Sequence, residues 1–397
     1  MPEFGSWGTD WWKPVLFIVV AGHLTNVCVT LFLHREQTHK GVRFHYLAQL
    51  PMRAWLWLTT AIVTKEWVAC HRKHHAFADR EGDPHSPLVE GLREIVLKGA
   101  FYYRKAVRQP GLLDKYGKGT PNDWIERHIF GQRTWIGILV MLAIDIYLFG
   151  FFVGPIVWGV QMIWIPFWAA GIVNGVGHAM GYRNFEVKDE SRNISPIAIW
   201  LGGEELHNNH HADPHSAKFK AKWYEFDIGW FYISILKFFG LAKVKKVAPK
   251  LKLESDKPMV DLRTLQGVIT HRYEVMARYA EVVKSAARQE LAKLKDSRQP
   301  NSADCNFTTL YRVRRWLHRS EEILQPEQVA EVDQAIARSA KLSTLVQMRR
   351  DLGRLWESSS ASSEQLLAEL QAWCQRAQQS GIDGLEEFAH RLRRYAA

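Results

Sequence analysis

The chain has 397 residues, of which 47% are hydrophobic and 17 are tryptophan, and its formal net charge at pH 7 is +11. This apolar and aromatic content is high for a soluble protein, and the length exceeds that of a usual single domain. The positive charge suits an anionic partner such as nucleic acid, lipid headgroups, or an acidic protein or cofactor. The four cysteines are scattered, so the sequence indicates neither a disulfide framework nor a thiolate metal site.

Four apolar runs come first along the chain. Pro14–Leu33 contains about 20 residues, enough to span a hydrocarbon core of about 30 Å, and it leads into a histidine-rich segment and not into a signal-peptide cleavage site. Tyr46–Val68 is interrupted by proline and charged residues, so we expect it to lie in the membrane interface or to re-enter. Trp135–Val153 and Ile156–Val176 are nearly free of charge and, separated by Gly154-Pro155, predict a helical hairpin that crosses the bilayer twice.

Eight histidines form three clusters, each close to an apolar run: His34 and His39; His71, His74 and His75; and His207, His210 and His211. The H-x-x-H-H spacing of the second and third clusters places the imidazoles on one face of a helix, where we expect each cluster to converge on a common centre. A ninth histidine, His178, ends the fourth apolar run, with Asn174 one turn earlier on the same face.

The number of imidazoles predicts a metal site with two ions. A structural zinc takes four ligands and a catalytic zinc three plus water, whereas these clusters supply eight or nine. Imidazole binds zinc, copper, iron and nickel, so the ligand type by itself leaves the metal open.

The clusters also predict the topology. If they share one metal centre they lie on one side of the membrane, so the second run does not cross and the hairpin crosses an even number of times. Basic residues around the clusters place that side in the cytoplasm. We therefore expect three spans with the N-terminus outside.

Beyond about residue 250 the chain becomes polar and charged, which divides it into a membrane domain, residues 1–249, and a C-terminal extension, residues 250–397. The extension is expected to be a soluble helical bundle that serves docking or oligomerisation, with helices at about Asp261–Leu294, Thr308–Leu324, Pro326–Ala340 and Ser362–Gln378. Ser362-x-x-Gln365 has the form of a capping box, and Gly381 is a candidate stop. The end of the chain faintly resembles the tails of transposases, but its basic patches lack a recognisable nucleic-acid motif, and we expect no nucleic-acid partner.

The histidine pattern resembles that of the membrane fatty acid desaturases over about residues 15–240. The details Asp83-Pro-His-Ser86, Gly181-Tyr-Arg183 and Gly202-Gly-Glu-Glu-Leu-His207 look like the stearoyl-CoA desaturase branch, close to bacterial delta-9 enzymes. The resemblance implies an all-α integral membrane bundle with a histidine-rich di-metal cap on the cytoplasmic side of the bacterial inner membrane.

The resemblance also implies the activity and the ligands. Two iron ions use dioxygen and two electrons to introduce a cis double bond into a saturated acyl chain, carried by coenzyme A or phospholipid. The implied ligands are His34, His39, His71, His74, His75, His178, His207, His210 and His211, with Asn174 reaching a metal through water. Carboxylates near these histidines are expected to orient the imidazoles; the candidates are Glu36, Asp79, Asp83, Glu204, Glu205 and Asp213.

Two features depart from the family pattern. Only about 33 residues precede His34, so one of the two spans that precede the first cluster in stearoyl-CoA desaturases is expected to be missing. No His-Pro-Gly-Gly haem-binding sequence occurs. Electrons are therefore expected from a separate ferredoxin, rubredoxin or flavoprotein reductase, attracted by the basic cytoplasmic face.

Two other functions remain open. A membrane di-iron alkane, acyl or carotenoid-type hydroxylase has a similar centre, although the extra Asn-Tyr-x-x-His element of the alkane type is not found. A non-catalytic metal transporter or sensor predicts polar residues along the spans, whereas the hairpin is almost wholly apolar. The remaining histidines, His85 among them, are expected to be structural or solvated.

Overall fold

The computed structural model describes residues 5–8, 10–255, 257–296, 303–319, 321, 324–357 and 361–396. The chain divides into two compact units. The N-terminal unit comprises Met1–Arg183 and Asp189–Ala248, and the C-terminal unit comprises Asn184–Lys188 and Pro249–Ala397. The short segment Asn184–Lys188 thus belongs to the C-terminal unit, which the sequence did not indicate.

The N-terminal unit is built almost entirely from helices. Its α-helices are α1 (Trp12–Cys28), α2 (Tyr46–Thr59), α3 (Thr64–Phe77), α4 (Pro87–Glu90), α5 (Leu92–Val107), α6 (Leu112–Tyr116), α7 (Thr134–Ile165), α8 (His207–Ala212) and α9 (Ile228–Phe238). Three π-helical segments cover Val29–Thr38, Glu126–Phe130 and Pro166–Val176. Four short strands form an antiparallel pair, β1 (Val42–Phe44) with β4 (Ala242–Val244), and a parallel pair, β2 (Ile197–Ala198) with β3 (Phe226–Asp227).

Two helical stretches of the described chain are long and apolar enough to cross a membrane. Trp12–Thr38 has 27 residues, and Thr134–Val176 has 43. The first continues as a π-helix five residues beyond the predicted end at Leu33, so His34 lies within the helix and not after it. Helix α2 and helix α3 do not join into a third such stretch, because the chain leaves the helix at Thr60–Val63, where Ala61 has a φ of 54°.

The second long stretch is a hairpin. Its direction reverses at Gly150, whose φ of 81° and ψ of 175° are open to glycine and strained for other residues, and not at Gly154-Pro155 as predicted. The two halves pack closely, since the indole of Trp158 donates to the carbonyl of Ile138 at 2.8 Å across the hairpin.

The outer surface of the hairpin is apolar. The side chains of Phe151, Phe152 and Ile156 are more than half exposed, whereas Asp145 and Gln161 are buried. A helix pair that turns its apolar side chains outward and its polar side chains inward suits a lipid environment.

The C-terminal unit is a helical bundle with its own core. Its helices are α10 (Leu262–Thr270), α11 (Arg272–Asp296), α12 (Ala303–Val313), α13 (Pro326–Ile336), α14 (Ala340–Arg354), α15 (Ser363–Gln378) and α16 (Asp383–Arg393), and β5 (Lys252–Leu253) pairs antiparallel with β6 (Tyr395–Ala396). The predicted capping box is confirmed, because Ser362 and Gln365 each bond the backbone of the other. The helix that it starts ends at Gln378, and Gly381 follows with a φ of 67°.

Sequence reasoning was incomplete for this bundle. The predicted long helix Asp261–Leu294 is broken near His271 into α10 and α11, and α14 and α16 were not predicted. The core is formed around Tyr279 and Trp373, whose polar atoms donate to the backbone carbonyls of Leu345 and Met348 at 2.8 Å each.

Replacing Gly150 by alanine tests the hairpin. A Cβ atom at this backbone conformation costs about 1–3 kcal/mol, so we expect the Gly150→Ala protein to lose its folded form at a lower temperature in detergent, as followed by size-exclusion chromatography after heating. Gly159→Ala is the matched control, because a Cβ there meets nothing within 4 Å. Equal midpoints for the two variants would contradict a reversal at Gly150.

Candidate metal centre

The first histidine cluster is positioned by a π-helix. In the segment Val29–Thr38 His34 points into the protein, and the amide of His39, directly after the helix, donates to the carbonyl of His34 at 3.1 Å. The neighbouring Arg35 is fully buried and forms a salt bridge with Asp227 at 2.9 Å. This internal ion pair ties the end of the helix to the rest of the unit.

The second and third clusters lie on α3 and α8. At about 100° per residue, side chains four apart on a helix differ in direction by about 40°, whereas the side chain three positions on lies about 60° to the other side. His71 and His75 therefore share one centre while His74 faces another. In the same way His207 and His211 share a centre and His210 turns away. The expectation that each cluster converges on a single centre was wrong.

The structure brings the nine predicted histidines into two groups. Within each group the candidate ligand nitrogens lie within 4.8 Å of one another, and all of the side chains are buried except the half-buried His75. The first group is His34, His39, His71, His75 and His210, and the second is His74, His178, His207 and His211.

The distances between ring nitrogens have the geometry of ligands that share an ion. The Nε2 atom of His34 lies 2.9 Å from Nε2 of His71 and 2.9 Å from Nε2 of His210. In the second group, Nε2 of His178 lies 2.9 Å from Nε2 of His207. Two nitrogens that bind one ion at right angles, each at about 2.1 Å, lie about 3.0 Å apart.

A carboxylate fixes the first ring at its other nitrogen. The Nδ1 atom of His34 lies 2.7 Å from the carboxylate of Glu204, and an imidazole that donates from Nδ1 can present the lone pair of Nε2 to an ion. Buried ring nitrogens without a hydrogen-bond partner also occur at Nε2 of His39, His74 and His211. Converging lone pairs in a buried site repel one another unless a cation lies between them.

The environment keeps most of these rings neutral, as metal binding requires. Burial lowers the pKa of six imidazoles well below the ordinary value, and the neighbouring imidazoles lower it further; these are His39, His71, His75, His207, His210 and His211. His178 differs, because burial opposes its protonation but the carboxylate of Asp79 raises its pKa to about 9.

Four imidazoles of the site are each held by a carboxylate that contacts the Nδ1 atom of the ring. Besides Glu204, Asp79 accepts from His178 at 2.7 Å, Asp83 from His74 at 3.0 Å, and Asp189 from His211 at 3.0 Å. Such contacts orient the ring and make the opposite nitrogen a better ligand.

Three of the six predicted carboxylates have this role, and three do not. Glu36 accepts from the amide of Phe44, Glu205 from the amide of Leu201, and Asp213 pairs with Lys246. Sequence reasoning missed Asp189, which is far from every histidine cluster along the chain. His85 was also set aside, yet it is buried and stacks on His74 with ring centroids 4.5 Å apart.

An apolar cavity of about 240 Å³ adjoins the first group. Its walls come from α3, α5 and the π-helix Pro166–Val176, and include His34 and His71 of the site together with Trp67 and Asn174. The indole of Trp67 stacks on His71 at 4.9 Å. The indole therefore lies between the cavity and the first histidine group.

Comparison with known proteins agrees with this geometry. The fatty acid desaturase family profile matches residues 10–252, and a transposase profile matches residues 266–397. An acyl-CoA 5-desaturase of Anemone leveillei is 32% identical over 61% of this chain and 73% of its own length. A delta-9 desaturase-like protein of Arabidopsis thaliana is 30% identical, covering 58% and 76%. An sn-1 stearoyl-lipid 9-desaturase of Synechocystis is 28% identical, covering 63% and 76%.

The desaturase profile covers more than half of the chain and includes all nine histidines of the two groups. The chain belongs to the fatty acid desaturase family.

Proposed function

We propose that the protein is a membrane di-iron desaturase that uses dioxygen to introduce a cis double bond, at the delta-9 position, into a saturated acyl chain. The observation that carries the proposal is an apolar cavity that adjoins the first of two groups of converging imidazoles. An aliphatic chain in that cavity lies against His34 and His71, and therefore against the ion that they would hold.

The donor set fits iron. Two groups of five and four nitrogen donors would each hold one ion, and Asn174, which lines the cavity, would reach a metal through a water molecule. When bound, iron with dioxygen supplies the redox chemistry that removes two hydrogens from neighbouring methylenes, for which redox-inactive zinc is unsuited.

The residues that line the cavity would exclude water from the site and fix the position of the acyl chain. The cavity walls are mainly aliphatic and aromatic, so an acyl chain would displace water from the face of the site. Trp67 contacts both His71 and the cavity, which would limit how closely the chain can approach the rings.

The acyl carrier would be coenzyme A or a phospholipid, since the relatives include an acyl-CoA desaturase and a stearoyl-lipid desaturase. Both carriers have phosphate groups. Arg104 is exposed and lines the same cavity, so it is suited to pair with a phosphate of either carrier.

The setting would be the bacterial inner membrane, with three spans, the N-terminus outside and the metal site on the cytoplasmic side. The two stretches Trp12–Thr38 and Thr134–Val176 support membrane insertion. Electrons would come from a separate acidic ferredoxin, rubredoxin or flavoprotein reductase, in keeping with the net charge of +11.

Lipid analysis by gas chromatography and mass spectrometry tests the activity. We expect new monounsaturated acyl chains in a host that makes none when it expresses the wild type, and none with the His74→Ala/His210→Ala double variant, which removes one donor from each group. The exposed His128 supplies a control, and His128→Ala should match the wild type. Hydroxylated chains would instead identify a hydroxylase. No new product when reduced ferredoxin is supplied to membranes that contain the protein would contradict the proposal.

Replacing Asp79 by asparagine tests the metal centre. The asparagine keeps the size but removes the charge that holds His178, and loss of such a partner typically weakens metal binding about 10–100-fold. We expect faster loss of iron to a chelator, measured as residual iron in purified protein. Asp213→Asn is the matched control, because the carboxylate of Asp213 pairs with Lys246 and, among the contacts described, with none of the nine histidines. Equal iron retention in both variants would count against a metal at the second group.

Enlarging Ala100 tests the cavity as the acyl site. Ala100 lines the cavity, so Ala100→Leu fills part of it, and one misfitting methylene in such a pocket is worth about 1–3 kcal/mol. We expect the product profile to shift from longer to shorter acyl chains by about tenfold. Phe101→Leu is the control, since Phe101 is 62% exposed and does not line the cavity. An unchanged profile in Ala100→Leu would place the acyl chain elsewhere.

A further inference from the structure

The loop from Tyr182 to Asn193 begins and ends in the N-terminal unit, but its tip belongs to the C-terminal unit. Its base is closed by two backbone hydrogen bonds, from the amide of Tyr182 to Asn193 at 3.0 Å and from the amide of Asn193 to Tyr182 at 2.7 Å. The guanidinium of Arg183 donates to the carbonyl of Asp189 at 2.8 Å, which closes the loop again nearer its tip. The tip itself, Asn184–Lys188, belongs to the C-terminal unit.

Helices of the C-terminal unit hold this tip. The amide of Glu186 donates to the carbonyl of Tyr273 at 3.1 Å, at the start of α11. Val187 is only 4% exposed. The negative charge of Glu186 acts on the buried guanidinium of Arg349, on α14. The tip is thus anchored by the buried side chain of Val187 and by the polar contacts of Glu186 beside it.

The residues directly after the tip orient the second histidine group. Asp189 accepts from Nδ1 of His211 at 3.0 Å. The amide of Glu190 donates to Asp79 at 2.7 Å, and Asp79 in turn accepts from His178. Two of the four imidazoles in the second group therefore depend on residues one and two positions beyond the tip.

Chain continuity transmits the position of the tip. Consecutive Cα atoms are about 3.8 Å apart, so a movement of Val187 by a few ångströms has only two peptide units in which to be absorbed before Asp189. A metal site requires its ligands to be held within about 0.5 Å of the productive geometry. A loosened tip would consequently disturb His211 and His178 first.

We infer that the C-terminal unit is a positioning element for the second metal ion, acting through Asn184–Lys188 on Asp189 and on the Glu190 amide. This inference rests on the proposed di-iron function. The first histidine group takes its carboxylate contact from Glu204, which lies in a different part of the chain. Loss of the tip contact should therefore weaken the binding of one of the two ions and not of both.

The test compares full-length proteins loaded with iron. Val187→Asp places a charge in the buried anchor, and we expect one of the two ions to be released to bipyridyl about 10–100-fold faster while the other is released at the wild-type rate. Asp189→Asn should give the same biphasic release, and the double variant should release iron no faster than Asp189→Asn alone, because both changes act on one contact. Val247→Asp, at a valine that is 39% exposed, is the matched control and should behave as wild type.

Hydrogen exchange of the metal-free proteins provides a second readout. In Val187→Asp, peptides over residues 189–193 should exchange faster, while those in α14 and α15 stay protected. If the charge unfolds α14 and α15, the inference is tested with the milder Val187→Ala variant. We expect this variant to accelerate the release of the same one of the two iron ions, but by a smaller factor. Faster exchange at residues 189–193 with unchanged iron release in both variants would overturn the inference. A wild type that holds no iron at all would instead overturn the proposed function.

Discussion

The constraint on which the N-terminal unit depends is the mutual repulsion of buried nitrogen lone pairs, which a bound cation would relieve. Nine imidazoles, all but the half-buried His75 shielded from water, converge there with ring nitrogens as close as 2.9 Å. Neutral ligands bring no charge to offset that of bound metal. Behind them lie four carboxylates, Asp79, Asp83, Asp189 and Glu204, whose combined charge matches that of two divalent ions. With two divalent ions as proposed, these four carboxylates would bring the buried cluster close to neutral.

Helical geometry explains how so few segments supply so many ligands. In an H-x-x-H-H cluster the first and last histidines face one way and the middle one another, so one helix can supply side chains to both groups. Helices α3 and α8 do this in complementary ways, since α3 gives two donors to the first group and α8 gives two to the second. The π-helical stretch around His34 adds its donor from a membrane-length helix, which ties the site to the apolar part of the chain.

Local chemistry was readable from the sequence, and long-range contacts were not. The nine histidines, the capping box at Ser362 and the family follow from motifs of short span, in which each residue type has one strong reason for its position. Asp189 could not be found in this way, because only the folded loop, closed at its base, brings it to His211, and no local motif marks it. The reversal at Gly150 was misplaced because a Gly-Pro pair is the stronger turn signal, yet Pro155 is tolerated within α7.

The same repulsion links metal binding to folding. Without ions, the two groups would leave converging lone pairs and buried carboxylates that only hydrogen bonds to imidazole offset, so the region would gain by opening to water. Its resistance to opening then depends on everything that holds the carboxylates in place. Asp79 and Asp83 are held by the turn after α3, and Glu204 accepts from the hydroxyl of Thr30 on the first π-helix. Asp189 is bonded by Arg183 and Ser191 of its own unit, but it directly follows a loop tip that belongs to the C-terminal unit, so it is the carboxylate on which, as we infer, both units act.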